Sequence, residues 1–233
     1  AWLLSLYLHQ RINTYILITV LDTFKHKGLR NKMVEELKTL GISDELVLQA
    51  MKNVPRHWFL DNAFLEYAYQ NKAFPIGSGQ TISHPYTVAF QTELLQLEKG
   101  MKVLEIGTGS GFQTCILCQL GARVYSIERH QPLHAKAKQM LDFFRLNANL
   151  SFGDGYKGNR VYAPYDRILV TCGAPEIPSV LLEQLKVGGL MVIPVGEGAE
   201  QKMLCIHKTS ETSYSSEEFG TFKFVPMLER TVK

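Results

Sequence analysis

The chain has 233 residues, of which 45% are hydrophobic, and its formal net charge at pH 7 is +3. This length and apolar content suit one sizeable domain with appendages. The small charge argues against nucleic acid or an anionic membrane surface as a partner. Among the four cysteines, Cys115 and Cys118 form a C-x-x-C pair without two further ligands nearby, so we expect no metal site. Unpaired cysteines are typical of a reducing cytoplasm, where we expect the protein to be located.

The first 28 residues contain two apolar stretches, 2–8 and 15–21, which are interrupted by polar residues. A membrane-spanning helix needs about 20 mostly apolar residues. A signal peptide has a basic start and a small-residue cleavage site. The segment has neither pattern, so we expect no membrane association. We interpret residues 1–28 as an extra helical segment that packs on the domain or on a second subunit, or as upstream sequence without function. The oligomeric state therefore stays open.

Residues 29–73 show helical patterns and no strand pattern, which predicts a helical appendage. Apolar residues recur with a helical period over 29–40, and Gly41 is expected to end that helix. Ser43 is a good N-cap for the next helix, which should stop before Pro55. A short helical stretch is predicted near 61–69.

Residues 74–85 are rich in glycine, proline and serine, which predicts a loop. The segment is long and polar for a connector between helices, and long loops on rigid scaffolds often carry function. Its composition fits a plain surface linker equally well. A helix is predicted to follow at 86–97.

The stretch 103–111 runs from a short apolar strand into a turn with three alternate glycines, and a helix is predicted to follow at 112–120. A nucleotide-type cofactor site begins in this way in an open α/β sheet, because glycines let the backbone approach the ligand. A dinucleotide fingerprint would need a third glycine where Phe112 stands. Glu105, two places before the first glycine, suits a cofactor that carries an ammonium and a sulfonium, and it suits a pyrophosphate badly.

Two acidic residues follow later strands of the predicted sheet. Glu128 ends the strand at 123–127, about 20 residues after Gly107, where an acidic side chain accepts hydrogen bonds from ribose hydroxyls. Asp154 lies between two glycines after the strand at 150–152 and is well placed to accept from an adenine amino group. These positions favour cofactor contact over plain strand-end charges.

The remaining elements alternate between strands and helices. Helices are predicted at 132–144 and 177–185, and strands at 165–171 and 190–193. A pair of strands at 202–207 and 219–225 closes the series. This order predicts an α/β fold with a doubly wound, mostly parallel sheet of about seven strands.

The glycine stretch, read as E-x-G-x-G-x-G, resembles motif I of the S-adenosyl-L-methionine (SAM)-dependent methyltransferases. From about residue 29 to the C-terminus, the chain resembles the protein-L-isoaspartate O-methyltransferases. The motifs that carry this resemblance are Val54-Pro55-Arg56, Pro75-Ile76-Gly77, Gly79-Gln80-Thr81-Ile82-Ser83, Leu104-Glu105-Ile106-Gly107-Thr108-Gly109-Ser110-Gly111, Gly153-Asp154-Gly155, Ala163-Pro164-Tyr165-Asp166, Leu185 with Gly188-Gly189, and Pro194-Val195-Gly196. The Gly-Gln-Thr-Ile-Ser segment separates this family from other methyltransferases.

The resemblance implies one Rossmann-like methyltransferase domain over 29–233. Within it, 29–73 is the helical appendage, 74–85 the active-site loop and 100–233 the cofactor-binding sheet. The implied reaction moves a methyl group from SAM to the α-carboxylate of L-isoaspartyl residues in damaged proteins. The ester then closes to a succinimide, and S-adenosylhomocysteine (SAH) is the cofactor product.

The resemblance also implies the site residues. Ser83 is the implied active-site residue, and we interpret it as a hydrogen-bonding group that positions the carboxylate, because no His-Asp pair with triad context is apparent. The implied cofactor-binding residues are Gln80, Thr81, Ile82, Glu105, Gly107, Thr108, Gly109, Gly111, Glu128, Arg129, Asp154 and Gly155.

Three other interpretations stay open. A methyltransferase for small molecules or RNA would keep the cofactor residues, although RNA would require a basic face that the charge balance does not suggest. A nicotinamide oxidoreductase is disfavoured by the missing third glycine. A non-catalytic binding module is disfavoured because the glycine turn, Glu128 and Asp154 are all intact.

Overall fold

The computed structural model of the chain describes residues 21–233, so most of the extra segment predicted for 1–28 lies outside the described residues. The helical appendage consists of α1 (Phe24–Thr39), α2 (Glu45–Asn53) and two 3-10 turns (Arg56–Phe59 and Asn62–Tyr67). A capping box between Thr23 and the third helical residue starts α1. The predicted boundary between the extra N-terminal segment and the methyltransferase domain, at residues 28 and 29, falls inside α1.

The start of α2 differs from the prediction that Ser43 is its N-cap. Asp44 takes that place, and its carboxylate accepts hydrogen bonds from the backbone amides of Leu46 and Val47. The Ser43 amide and hydroxyl instead donate to the carboxylate of Glu93, at 2.7 and 3.1 Å. Both residue types are good caps, so this contact with a distant helix decides between them.

The segment 74–85, predicted as a loop, contains an antiparallel hairpin of β1 (Phe74–Gly77) and β2 (Gln80–Ile82). All three residues of 77–79 have positive φ values, and glycine supplies this conformation at two of them. The strands are short and carry turn-forming residues, so composition alone predicts a loop. Burial of side chains such as Ile76 and Ile82 holds the strands in place.

The helix α3 (Pro85–Leu94) connects the hairpin to a seven-stranded sheet. The strands of this sheet are β3 (Lys102–Ile106), β4 (Arg123–Glu128), β5 (Ala148–Phe152), β6 (Tyr165–Val170), β7 (Leu185–Val195), β8 (Gln201–Lys208) and β9 (Tyr214–Phe222). Three helices lie between them: α4 (Phe112–Gln119), α5 (Gln131–Phe144) and α6 (Ser179–Gln184).

The strand order is β5-β4-β3-β6-β7-β8-β9. The pairs from β5 to β7 are parallel, and β8 and β9 are each antiparallel to the preceding strand. The predicted doubly wound, mostly parallel seven-stranded sheet is thus confirmed. The direction of winding reverses between β3 and β6, and ligands of open sheets bind at the carboxyl ends of strands at such a point.

Some strand bounds differ from the prediction. β7 begins at Leu185 rather than after the glycine pair 188–189, and its register with β6 shifts between Tyr165 and Arg167. The last strand lies earlier than predicted, because β9 starts at Tyr214. Among residues 21–233, no helix combines the length and the apolar character needed to cross a bilayer.

Candidate active site

A cavity lies at the carboxyl ends of the central strands, beside the hairpin. Its wall includes residues 80–83, the glycine turn after β3, Glu128 at the end of β4, and Thr171 and Cys172 after β6. The topology therefore places the predicted active-site segment next to the predicted cofactor segment. Two stretches that are distant in the sequence form one site.

The glycine turn fits closely against the end of β6. Gly107 has φ +95°, and a Cβ atom on it would lie 2.5 Å from Oγ1 of Thr171. That hydroxyl donates a hydrogen bond of 2.7 Å to the Gly107 carbonyl. Gly111, with φ +84°, is the N-cap of α4. The N-terminus of α4 therefore lies at the cavity, and its first residues line the wall. Unpaired amides at a helix N-terminus attract anions.

Glu128 is nearly fully buried and lines the cavity. One carboxylate oxygen accepts from the Gly109 amide and the other from the His130 amide, both at 2.8 Å. These bonds fix the orientation of the carboxylate. A carboxylate oxygen has a second lone-pair site, so Glu128 can still accept from a ligand hydroxyl. The structure thus places Glu128 in the cavity wall, and its contact with ribose hydroxyls stays a prediction.

Glu105 is placed differently from the prediction. Its side chain is fully buried and is not part of the cavity wall. The Thr114 hydroxyl donates to its Oε2 at 2.6 Å, and its Oε1 has no hydrogen-bond partner within residues 21–233. Burial raises the pKa of Glu105 to about 7. The structure therefore does not bring this carboxylate to the surface that a cofactor would contact.

Asp154 and Arg129 hold the C-terminal segment 225–232. The Asp154 carboxylate accepts from the amides of Tyr156 and Arg230, at 3.0 and 2.9 Å. The Arg129 guanidinium donates to the carbonyls of Arg230 and Glu229, at 2.9 and 3.0 Å. The C-terminal segment thereby crosses the strand ends, a feature for which the sequence offered no pattern.

A second cavity adjoins the first at this end. Its wall includes Glu128, Arg129, Gly155 and residues 226–228 of the C-terminal segment. A Cβ atom on Gly155 would lie 2.4 Å from Cγ2 of Ile106, so only glycine fits there without displacement. The prediction placed Gly155 at a cofactor, and the structure places it at this cavity.

Arg56 anchors the start of the segment that follows the hairpin. Its buried guanidinium donates to the carbonyls of Ser83 (3.0 Å), Lys72 (2.9 Å) and Ala68. Burial lowers the pKa of Arg56 to about 9. Sequence reasoning noted Arg56 only as part of a motif, and the structure shows that it fixes the backbone of Ser83.

The cavity wall contains residues that sequence reasoning did not select. They are Val88, Ser110, Phe112, Gln113, Thr171, Cys172 and Val225. Thr171 and Cys172 follow β6. Ligands of open α/β sheets bind at the carboxyl ends of the strands, so the sequence indicated this edge of the sheet in general but not these two residues. Ser110 belongs to the glycine turn, and the other residues come from helices and from the C-terminal segment, where no local pattern marks them.

Asp22, His26 and His57 bring possible metal-ligand atoms within 4.8 Å of one another. Arg30 donates to both Asp22 oxygens at 2.9 Å. The two imidazole rings stack with centroids 3.9 Å apart and an interplanar angle of 28°. Ring nitrogen lone pairs lie in the ring plane, so stacked rings do not direct them to a common point. The arrangement is that of a packed polar cluster.

Known proteins resemble this chain over most of its length. A sequence profile described as protein-L-isoaspartate(D-aspartate) O-methyltransferase matches residues 28–232. A protein-L-isoaspartate O-methyltransferase from Cytophaga hutchinsonii is 58% identical over 207 residues, covering 89% of this chain and 94% of the relative. The relative of the same name from Flavobacterium psychrophilum is 58% identical over 209 residues, covering 89% and 98%.

Two solved structures share the fold. One, described as a protein-L-isoaspartate O-methyltransferase, has a TM-score of 0.77 and 29% identity, covering 84% of this chain and 65% of its own. The other, a Plasmodium falciparum protein in complex with S-adenosyl-L-homocysteine, has a TM-score of 0.75 and 23% identity, covering 85% and 98%.

Proposed function

The chain belongs to the protein-L-isoaspartate(D-aspartate) O-methyltransferase family, and from this premise we propose how its cavity residues perform the family's reaction. The activity is transfer of a methyl group from SAM to the α-carboxylate of L-isoaspartyl residues in damaged proteins. The products are SAH and a methyl ester, which closes to a succinimide. The observation that carries the proposal is the shared cavity of segment 80–83, the glycine turn and Glu128.

The cavity residues fit the groups of SAM, which when bound supplies a methyl group on a sulfonium. The glycine turn leaves the backbone open to close approach, and the N-terminus of α4 suits a carboxylate. Glu128 has the orientation to accept from ribose hydroxyls. The remaining proposed contacts to SAM come from Gln80, Thr81, Ile82, Thr108 and Gly155. In this proposal, Asp154 and Arg129 hold the C-terminal segment beside the end of the cofactor that contacts Gly155.

Ser83 positions the substrate carboxylate in this proposal. An isoaspartyl carboxylate has an ordinary pKa near 4, so at pH 7 it is already ionised and needs no base. Ser83 lines the cavity, and Arg56 holds its backbone through the carbonyl. Holding the reacting atoms in the productive orientation can supply several kcal/mol of the rate enhancement.

Substitution of Ser83 tests this role. A hydrogen bond to a charged group contributes about 1.5–3 kcal/mol, so Ser83→Ala should lower kcat/KM for an isoaspartyl peptide about 10- to 100-fold. Ser83→Thr keeps the hydroxyl and should retain more activity. SAH affinity, measured by calorimetry, should be nearly equal in both variants. Full activity of Ser83→Ala would remove Ser83 from the mechanism.

The proposed substrates are proteins and peptides that contain isoaspartate, and the proposed location is the cytoplasm. The support for the location is that all four cysteines are unpaired, including the buried Cys115, as is typical of a reducing compartment. Activity measured in separated cell fractions should follow a cytoplasmic marker. Activity that follows an extracytoplasmic marker would contradict this location.

A further inference from the structure

One acceptor atom in the cavity wall lacks a hydrogen-bond partner. Gln113 is the second residue of α4, its side chain is 7% exposed, and it lines the cavity together with Ser83 and Val88. Its Oε1 atom is buried and has no partner among the described residues. A buried acceptor that is left unpaired carries a free-energy cost. A ligand that donates to this atom would recover that cost.

The hydrogen bonds of Thr92 fix the orientation of the Gln113 amide. The Thr92 hydroxyl has one hydrogen and donates it to the Val88 carbonyl, at 2.7 Å. Its oxygen can therefore only accept from Gln113, so the group facing it is the amide nitrogen Nε2, at 2.9 Å. The amide oxygen then lies on the other side of the side chain. Gln113 is held as an acceptor before any ligand binds.

The position of Gln113 indicates which group of SAM it serves. Glu128 lines both cavities, whereas Gln113 lines only the cavity that contains Ser83, not the one beside Gly155. The sulfonium bears the methyl group, the ribose and the amino-acid chain, and the methyl group must face the substrate beside Ser83. Because Glu128 takes the ribose, the amino-acid chain with its ammonium is left to the part of the cavity that Ser83 and Gln113 line. Glu105, predicted for this group from the sequence, lies outside the cavity wall.

We propose that Gln113, oriented by Thr92, accepts a hydrogen bond from the ammonium of the amino-acid end of SAM. This inference rests on the proposed function and adds a positioning residue to it. Hydrogen bonds to charged donors are stronger than neutral ones. Gln113 thereby fixes the amino-acid chain, and with it the sulfonium, relative to Ser83.

Two ligands separate this role from general packing. Calorimetric titration with SAH measures binding of the whole molecule. Titration with 5′-deoxy-5′-methylthioadenosine measures binding without the amino-acid end. In Gln113→Leu, the dissociation constant for SAH should rise about tenfold, which corresponds to about 1.4 kcal/mol. Methylthioadenosine should bind within about twofold of wild type. Gln113→Asn keeps both the amide oxygen and the amide nitrogen and should lose less SAH affinity than Gln113→Leu.

Several results would overturn the proposal. Equal weakening of both ligands in Gln113→Leu would show that the residue only packs the cavity. Unchanged SAH affinity with a raised KM for the peptide would assign the acceptor to the substrate instead. If Gln113→Leu does not fold, equal weakening of SAH and methylthioadenosine in the folded Gln113→Asn variant would also refute it. Absence of SAH binding to the wild type would instead refute the proposed function itself.

Discussion

Replacing Arg56 with lysine tests how the helical appendage supports the active site. The Arg56 guanidinium spreads its bonds over two nitrogens: Nη1 donates to Ala68, and Nη2 donates to Lys72 and Ser83. Lysine keeps the buried charge but has a single nitrogen, which cannot take both places. The loss of the Nη1 bond or of the two Nη2 bonds leaves carbonyls unsatisfied in a buried region.

The magnitude follows from these bonds. Each hydrogen bond to a charged group contributes about 1.5 kcal/mol or more. Loss of one or two bonds should lower the free energy of unfolding by about 1.5–3 kcal/mol. Because one of the three carbonyls belongs to Ser83, kcat/KM should also fall, by about tenfold or more, at temperatures where the variant is folded.

Urea unfolding and methyl transfer to an isoaspartyl peptide measure the two effects. Arg123→Lys is the matched control, because Arg123 is exposed and its side chain donates one bond, to the Gly100 carbonyl at 2.8 Å. It should change stability by no more than about 0.5 kcal/mol. The reasoning is refuted if Arg56→Lys matches wild type in both stability and activity.

Two further substitutions test the glycine turn and the buried glutamate that precedes it. Gly107→Ala should weaken SAH binding about tenfold or more, because the new methyl group would meet Thr171 Oγ1 at 2.5 Å. Gly188→Ala is the matched control: Gly188 also has a positive φ, but a Cβ atom there would meet no described atom within 4 Å. That variant should therefore show only a conformational cost of about 1–2 kcal/mol in its free energy of unfolding. Burial raises the folded-state pKa of Glu105 to about 7, above its ordinary value of 4.5. The folded protein then binds a proton that the unfolded chain releases, so wild-type stability should fall as pH rises from about 4.5 to about 7 and should level off above that. Glu105→Gln should remove that decline in urea unfolding between pH 5 and pH 8, and an unchanged decline would assign it to other groups.

The parts of the site that were predictable come from local patterns. The glycine turn and Glu128 follow strands that periodicity identifies, and the carboxyl ends of parallel strands meet at one edge. The doubly wound, mostly parallel sheet follows from the alternation of strands and helices along the sequence. Such features need only neighbouring residues to be recognised.

The features that were missed depend on contacts between distant residues. Whether Ser43 or Asp44 caps α2 depends on Glu93, and the placement of Ser83 depends on Arg56. Gln113 resembles any polar residue in a helix until its bond to Thr92 is known. No local period or motif encodes such contacts, so propensity and spacing could not reveal them.

Methyl transfer to a matched pair of peptides tests the central claim most directly. The peptides share one sequence, with L-isoaspartate in one and normal L-aspartate in the other. Wild-type protein is incubated with methyl-labelled SAM, and the base-labile methyl ester is counted. The account predicts label on the isoaspartyl peptide alone. Equal label on both peptides, or label on neither while SAM is bound, would contradict it.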